Sequence, residues 1–129
     1  MRIATWNVNS VRARLPRVLP WLEAQQPDVV CLQELKCIDD EFPRGDIEKL
    51  GYHALVFGQK TYNGVAILSK SAPADELMGL PGFADEQKRL IAASIDGVRV
   101  VCVYVPNGQS LDSDKYPYKL SWLAALQSW

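Results

Sequence analysis

A strand, a helix and a second strand follow one another within the first 33 residues, and nothing else in the chain narrows its fold as much. Residues 2–8 form a short extended run anchored by Ile3 and Val8. Ser10 can cap a helix starting after it, and Val11, Leu15, Val18, Leu19 and Leu22 recur near the helical period up to Gln26. Pro16 and Pro20 each remove a backbone donor, so the helix is expected to be irregular before Trp21 and to start in earnest near Leu15. Pro27 closes it. From Asp28 to Gln33 the chain is mostly apolar, the habit of a strand buried on both faces of a parallel sheet. Two strands joined through a helix make a βαβ unit, which places the chain in the α/β class.

Beyond Lys36 the sequence is polar through Pro43, with an acidic run at Asp39, Asp40 and Glu41 that reads as a solvated loop. A short helix comes next and runs to Leu50, stopped by Gly51. Tyr52 to Phe57 and Gly64 to Leu68 predict two further strands. Leu90 to Ile95 and Val98 to Val105 flank Asp96 and Gly97, the pair a two-residue hairpin turn requires. The last helix carries Leu120, Trp122, Leu123, Leu126 and Trp129 and stops without a Gly cap or polar tail. Two expectations compete for it: a chain cut inside a larger fold, or a helix docked on its own sheet.

Length bounds the chain at one domain, 129 residues of which 48% are hydrophobic. Fourteen Lys and Arg against fifteen Asp and Glu leave a net charge of −1, so nucleic-acid binding is not announced by composition and needs a local patch. The basic points are Arg12, Arg14 and Arg17 together, and Lys88 with Arg89. No apolar run approaches the roughly 18 residues of a membrane span, and the N-terminus lacks an apolar signal core. Cys31, Cys37 and Cys102 are odd in number and show no metal-type spacing, so reduced thiols and a cytoplasmic location are expected.

Polar residues at the C-terminal ends of buried strands are candidates for chemistry, because α/β sheets bind ligands there. Asn7 and Asn9 follow the first strand, Gln33 and Glu34 follow the second, and Tyr104 to Asn107 end the hairpin. Each alone is ordinary turn chemistry. Glu34 stands out, since a carboxylate behind an apolar strand suits a hard cation such as Mg²⁺.

Five ordered blocks carry a resemblance: Trp6 to Asn9 with Val11 to Arg14, Pro27 to Lys36, Tyr62 to Ala66, Arg89 to Ile91, and Tyr104 to Gly108, followed by a tail from Lys115 to Leu120. Together they resemble the exonuclease III family of DNA-repair nucleases, within the endonuclease/exonuclease/phosphatase superfamily. The resemblance implies a DNase I-like fold, a four-layer α/β sandwich of which this chain would supply the N-terminal half. It places mixed sheet and helices on one face in that half, with the second half absent. It also implies Mg²⁺, with Mn²⁺ as a substitute, and action on double-stranded DNA at abasic sites and 3′ ends by a monomeric enzyme without membrane association. Residue by residue, Glu34 falls on a metal ligand and Asn7 on the residue that holds that site together. Tyr104 falls on a contact to the scissile phosphate; Arg12, Tyr62, Arg89 and Asn107 fall on contacts to DNA backbone. Lys36 can add positive potential. Asn9 sits where some members are acidic, and Leu35 where Thr is common.

The family's Gly-Asp-x-Asn and Ser-Asp-His motifs are missing from residues 1–129, and the one histidine, His53, reads as a surface or strand position. The chain by itself is therefore expected to be inactive, with an apolar sheet face around Ile3, Val30, Leu32 and Val103 left for a second half. Two alternatives within the fold are a catalytically inactive nucleic-acid-binding regulator and a phosphatase of the superfamily.

Overall fold

A computed structural model describes all residues from Met1 to Trp129. The first unit is the expected one: β1 (Ile3–Asn7), α1 (Val11–Gln25) and β2 (Val29–Gln33), with β1 and β2 parallel and Asn7 in register with Gln33. Ser10 caps α1, its Oγ accepting from the Ala13 amide at 3.2 Å. Contrary to expectation, α1 runs unbroken through both prolines. Pro16 and Pro20 lie four residues apart on one exposed face, so the carbonyls they leave unpaired reach water. Val11, Val18 and Leu22 on the opposite side are buried and hold the helix to the sheet.

A 3-10 turn (Asp39–Glu41) and the short α2 (Arg44–Glu48) lead to β3 (His53–Phe57) and β4 (Val65–Ser69). The resulting mixed sheet has the order β1-β2-β4-β3, with β4 antiparallel to both neighbours. Its central strands β2 and β4 are buried at every position.

The remaining strands form a second, antiparallel sheet: β5 (Ala74–Met78), β6 (Leu90–Ile95) and β7 (Val98–Val103). β6 and β7 pair in the expected hairpin, with Asp96 and Gly97 both at positive φ as its turn demands. The class and the helices on one face of the mixed sheet are as the sequence implied. Its other face is not open, however, because the second sheet lies against it.

Two cores result. Helices α1 and α2 cover one face of the mixed sheet, burying Val30, Leu32, Ala66 and Leu68 with Val18, Leu22 and Ile47. Between the sheets, Val29, Cys31, Val65 and Ile67 meet Ile91, Ala93, Ile95, Val100 and Cys102. The alternation of side chains along β2 sends odd and even residues to different cores. The expected bare face around Ile3, Val30, Leu32 and Val103 is therefore not there. Val30 and Leu32 lie beneath the helices, Val103 is half-buried near the last helix, and Ile3 alone is exposed. A cavity of about 360 Å³ opens where edge strands β1 and β7 run past each other unpaired.

The last helix, α3 (Lys115–Ser128), docks on the second sheet through Trp122, fully buried against Leu80 and Leu90. Leu120, Leu123 and Trp129 point to solvent, so only part of the expected apolar side is used. The three cysteines are free and buried. No helix is long and apolar enough to cross a membrane.

Candidate active site

Because β1 and β2 are parallel, both deliver their C-terminal ends to the same edge of the sheet. There the backbone departs from ordinary geometry. Asn9, Ser10, Glu34, Lys36, Thr61 and Asn63 all adopt positive φ, a conformation that costs about 1 kcal/mol or more for a residue with a Cβ. Hydrogen bonds over-determine the turn that carries Glu34. Its carbonyl accepts from the Ser10 amide and that of Leu35 from Val11, at 2.9 and 3.2 Å. On the other side the Leu35 and Lys36 amides donate to Gly64 and Asn63 at 3.1 and 3.0 Å. Gly64 has φ +91°, and a Cβ there would stand 3.0 Å from that of Leu35. Gly58 is needed for space alone, since a Cβ would meet the Cys37 carbonyl oxygen at 2.4 Å.

Glu34 is partly buried and lies 3.8 Å from the Lys36 ammonium, which also donates to Asn9 Oδ1 at 2.5 Å. Asn7 Oδ1 accepts from the Asn9 amide at 3.2 Å, an Asx turn that fixes the chain as it leaves β1. Tyr104 comes just after β7 and reaches the same edge. Burial, then the Glu34 carboxylate, push its phenol above the ordinary tyrosine range. Asn7, Glu34 and Tyr104 thus meet at one end of the molecule.

Beside them lies a cavity of about 380 Å³ lined by Tyr62, Arg89, Tyr104 and Asn107, four of the residues singled out in the sequence. Arg89 precedes β6, and its guanidinium stacks 4.8 Å from the centre of the Tyr104 ring while donating to the Tyr104 carbonyl at 3.2 Å. The same cavity is lined by Gln59, Asn63, Gln87, Lys115 and Tyr118, which sequence reasoning did not assign. Lys115 and Tyr118 lie within the tail block that carried the resemblance, the one signal that could have found them. Arg12 is not brought there. It projects from α1 into an exposed ion pair with Glu41 at 2.8 Å. His53 is exposed at the start of β3.

The cavity lining holds a guanidinium, an ammonium, the hydroxyls of Tyr62 and Tyr104, and four side-chain amides, with no carboxylate or imidazole, while the Tyr118 hydroxyl donates to Asp85. Such a surface donates hydrogen bonds to an anion and offers no base. No cluster of three or more His, Cys, Asp or Glu exists that could enclose a metal. Glu34 is then a lone carboxylate beside Tyr104, a donor set that suits a largely hydrated Mg²⁺ and not a caged ion.

The sequence profile of the Endonuclease/Exonuclease/phosphatase family matches residues 4–128. The chain is 38% identical to "Exodeoxyribonuclease III" of Haemophilus influenzae, an alignment that covers all of this chain and 51% of that protein. Among solved structures, a 3′ phosphatase from Neisseria bound to product DNA hairpin superposes with a TM-score of 0.97 at 51% identity, over 99% of this chain and 50% of the other. An AP endonuclease from Archaeoglobus fulgidus gives 0.94 at 47% identity, over 98% and 49%. The chain spans about half the length of the relatives it matches.

Proposed function

Because the chain belongs to the Endonuclease/Exonuclease/phosphatase family, we propose that it carries the metal-binding carboxylate and the phosphate-recognition wall of a DNA-repair nuclease. The reaction is hydrolysis of phosphate esters in DNA with Mg²⁺, Mn²⁺ serving in its place: 3′→5′ exonuclease action and incision at abasic sites. Release of a 3′ phosphate belongs to the same chemistry, and one relative at 51% identity bears that activity in its name. The observation that carries the reading is the meeting of Tyr104, Arg89, Tyr62 and Asn107 around one cavity at the sheet edge, with the Glu34 carboxylate next to Tyr104.

Each side chain has a task there. Arg89 and Lys115 offer positive charge to a phosphate, while Tyr62, Tyr104 and Asn107 offer neutral donors that orient it. Donors fixed before the reaction stabilise the charge that develops on the phosphate oxygens. Glu34 would hold Mg²⁺, with Asn7 beside it keeping the strand end in place; the ion, when bound, supplies Lewis-acid polarisation of the phosphate. The cavity holds no base for water, so these 129 residues are assigned binding and orientation, and turnover needs a base from outside them. The intact enzyme is read as a cytoplasmic monomer acting on double-stranded DNA.

A lipid or inositol phosphatase would share the carboxylate and the phosphate wall. The whole-chain matches to DNA-acting relatives favour the nuclease. Titration of this chain with a labelled DNA duplex and with an inositol phosphate, across a salt series, tests the choice. Duplex binding that weakens steeply with salt and falls in Arg89→Ala is expected. Preference for the inositol phosphate would overturn the nuclease reading.

A further inference from the structure

Arg89 occupies an unusual position. It borders the polar cavity of about 380 Å³ on one side and a second, more apolar cavity of about 270 Å³ on the other, lined by Phe57, Leu80, Phe83 and Trp122. Its guanidinium is held there by neutral partners alone, the Tyr104 carbonyl and ring and the Gln87 side chain. It also has no carboxylate partner, since the ion pairs of the molecule are Arg12 with Glu41 and Lys36 with Glu34. A carboxylate is nonetheless at hand. Asp85 lines the second cavity together with Arg89.

Each oxygen of Asp85 already accepts one hydrogen bond. Oδ1 accepts from the Gln87 amide at 3.0 Å, and Oδ2 accepts from the Tyr118 hydroxyl at 2.5 Å. Gln87 in turn accepts from Arg89 Nε through Oε1 at 2.8 Å. The Tyr118 ring is braced by Phe83, centroids 6.4 Å apart, and stands 5.7 Å from the Arg89 guanidinium. Tyr118 thus touches the acid through its hydroxyl and the base through its ring. Burial, with the Asp85 carboxylate next, keeps its hydroxyl protonated far above neutral pH, so this arrangement does not titrate away.

We infer that Tyr118 is a positioning residue that intercepts Asp85, so that Arg89 stays unpaired and aimed into the polar cavity for a phosphate oxygen. Gln87, a neutral acceptor, steadies the guanidinium without cancelling its charge. The inference rests on the reading of that cavity as a DNA phosphate site. A salt-bridged Arg89 would have to give up a carboxylate before binding phosphate; an intercepted one does not.

Duplex binding by this chain, measured by fluorescence anisotropy with a labelled DNA duplex carrying a 3′ phosphate, tests it through a rescue. Tyr118→Phe keeps the ring against Phe83 but releases Asp85 to pair with Arg89, and is expected to weaken binding about 10-fold. Adding Asp85→Asn to that variant removes the released charge and should return affinity to within about 2-fold of the parent. Where Arg89→Ala weakens duplex binding, wild-type binding by Tyr118→Phe, or a loss that Asp85→Asn does not repair, overturns the interception. The Arg89 Nε–H resonance provides a readout that needs no DNA. It should shift in Tyr118→Phe and move back in the double variant, and an unmoved resonance overturns the inference as well. If Arg89→Ala leaves duplex binding unchanged while the resonance behaves as stated, the phosphate reading fails and the interception stands.

Discussion

The two ends of β2 are built on opposite principles. At its start, Asp28 accepts from the Arg2 amide at 2.7 Å and its own amide returns to the Arg2 carbonyl at 3.0 Å. The Lys70 amide donates to the Asp28 carbonyl, the Lys70 ammonium to that of Gln26, and the buried Tyr52 hydroxyl to that of Pro27, at 3.1, 2.9 and 2.6 Å. Among the residues making these bonds, Gln26, the left-handed cap of α1, is the one at positive φ. At the far end, six residues with side chains sit at positive φ and the polar groups face a cavity. One end ties the sheet down; the other holds the polar groups of the candidate site in a shape the backbone would not choose. Strain that the bonds of Ser10, Val11, Leu35 and Lys36 over-determine can be kept without loosening the fold.

Substitutions at the two ends should therefore separate activity from stability. The largest effect belongs to Glu34→Gln. In the intact enzyme it should lower the Mg²⁺-dependent rate by at least about 100-fold while leaving the unfolding midpoint and duplex binding nearly unchanged. Rates at saturating and limiting Mg²⁺ measure this, and full activity would remove Glu34 from the site.

Next comes Tyr52→Phe at the anchored end. It strands the Pro27 carbonyl and should cost about 1–2 kcal/mol in chemical denaturation, with no change in duplex affinity. Burial, then the Asp28 charge, raise the Tyr52 pKa. The stabilisation from its neutral form is thus complete below the unfolded value near 10 and lost as pH rises through the folded one. The variant should lose stability less steeply above pH 10 than the parent.

A smaller gain is expected at the strained end. Thr61 is β-branched and sits at φ 72° on an exposed turn. Thr61→Gly should raise stability by up to about 1 kcal/mol, the left-handed penalty less the added freedom of the unfolded chain. A loss of stability there would argue against stored strain.

The smallest effect concerns Asp28. The Arg2 amide holds its carboxyl below the ordinary range, so its contribution is present above the unfolded pKa and fades as pH falls through the folded one. Acid titration of Asp28→Asn should show a shallower decline below about pH 4 than the parent.

What could be read from the sequence was local. The βαβ unit and the Asp96–Gly97 hairpin depend on neighbouring residues, and both appear where expected. Strand β5 escaped because Ala74, Asp75, Glu76 and Met78 are exposed at a sheet edge, which leaves no apolar alternation to detect. The sheet the hairpin joins was also hidden, since the apolar faces of β6 and β7 fit either partner. At the site, the strand-end residues Asn7, Glu34 and Tyr104 are legible from topology. Gln59, Gln87 and Tyr118 come from three separate segments and meet only when α3 closes on the second sheet.

The two prolines of α1 bear on the order in which the molecule assembles. A helix lacking two of its internal hydrogen bonds has little tendency to form in the free chain, where nothing offsets the loss. It acquires its stability only when Val11, Val18 and Leu22 find the mixed sheet. That surface exists only after β1 has paired with β2, whose partners lie 26 residues apart in sequence. The N-terminal unit therefore forms as one cooperative step gated by a non-local contact, and amides of α1 should gain exchange protection together with those of β2 and not before them.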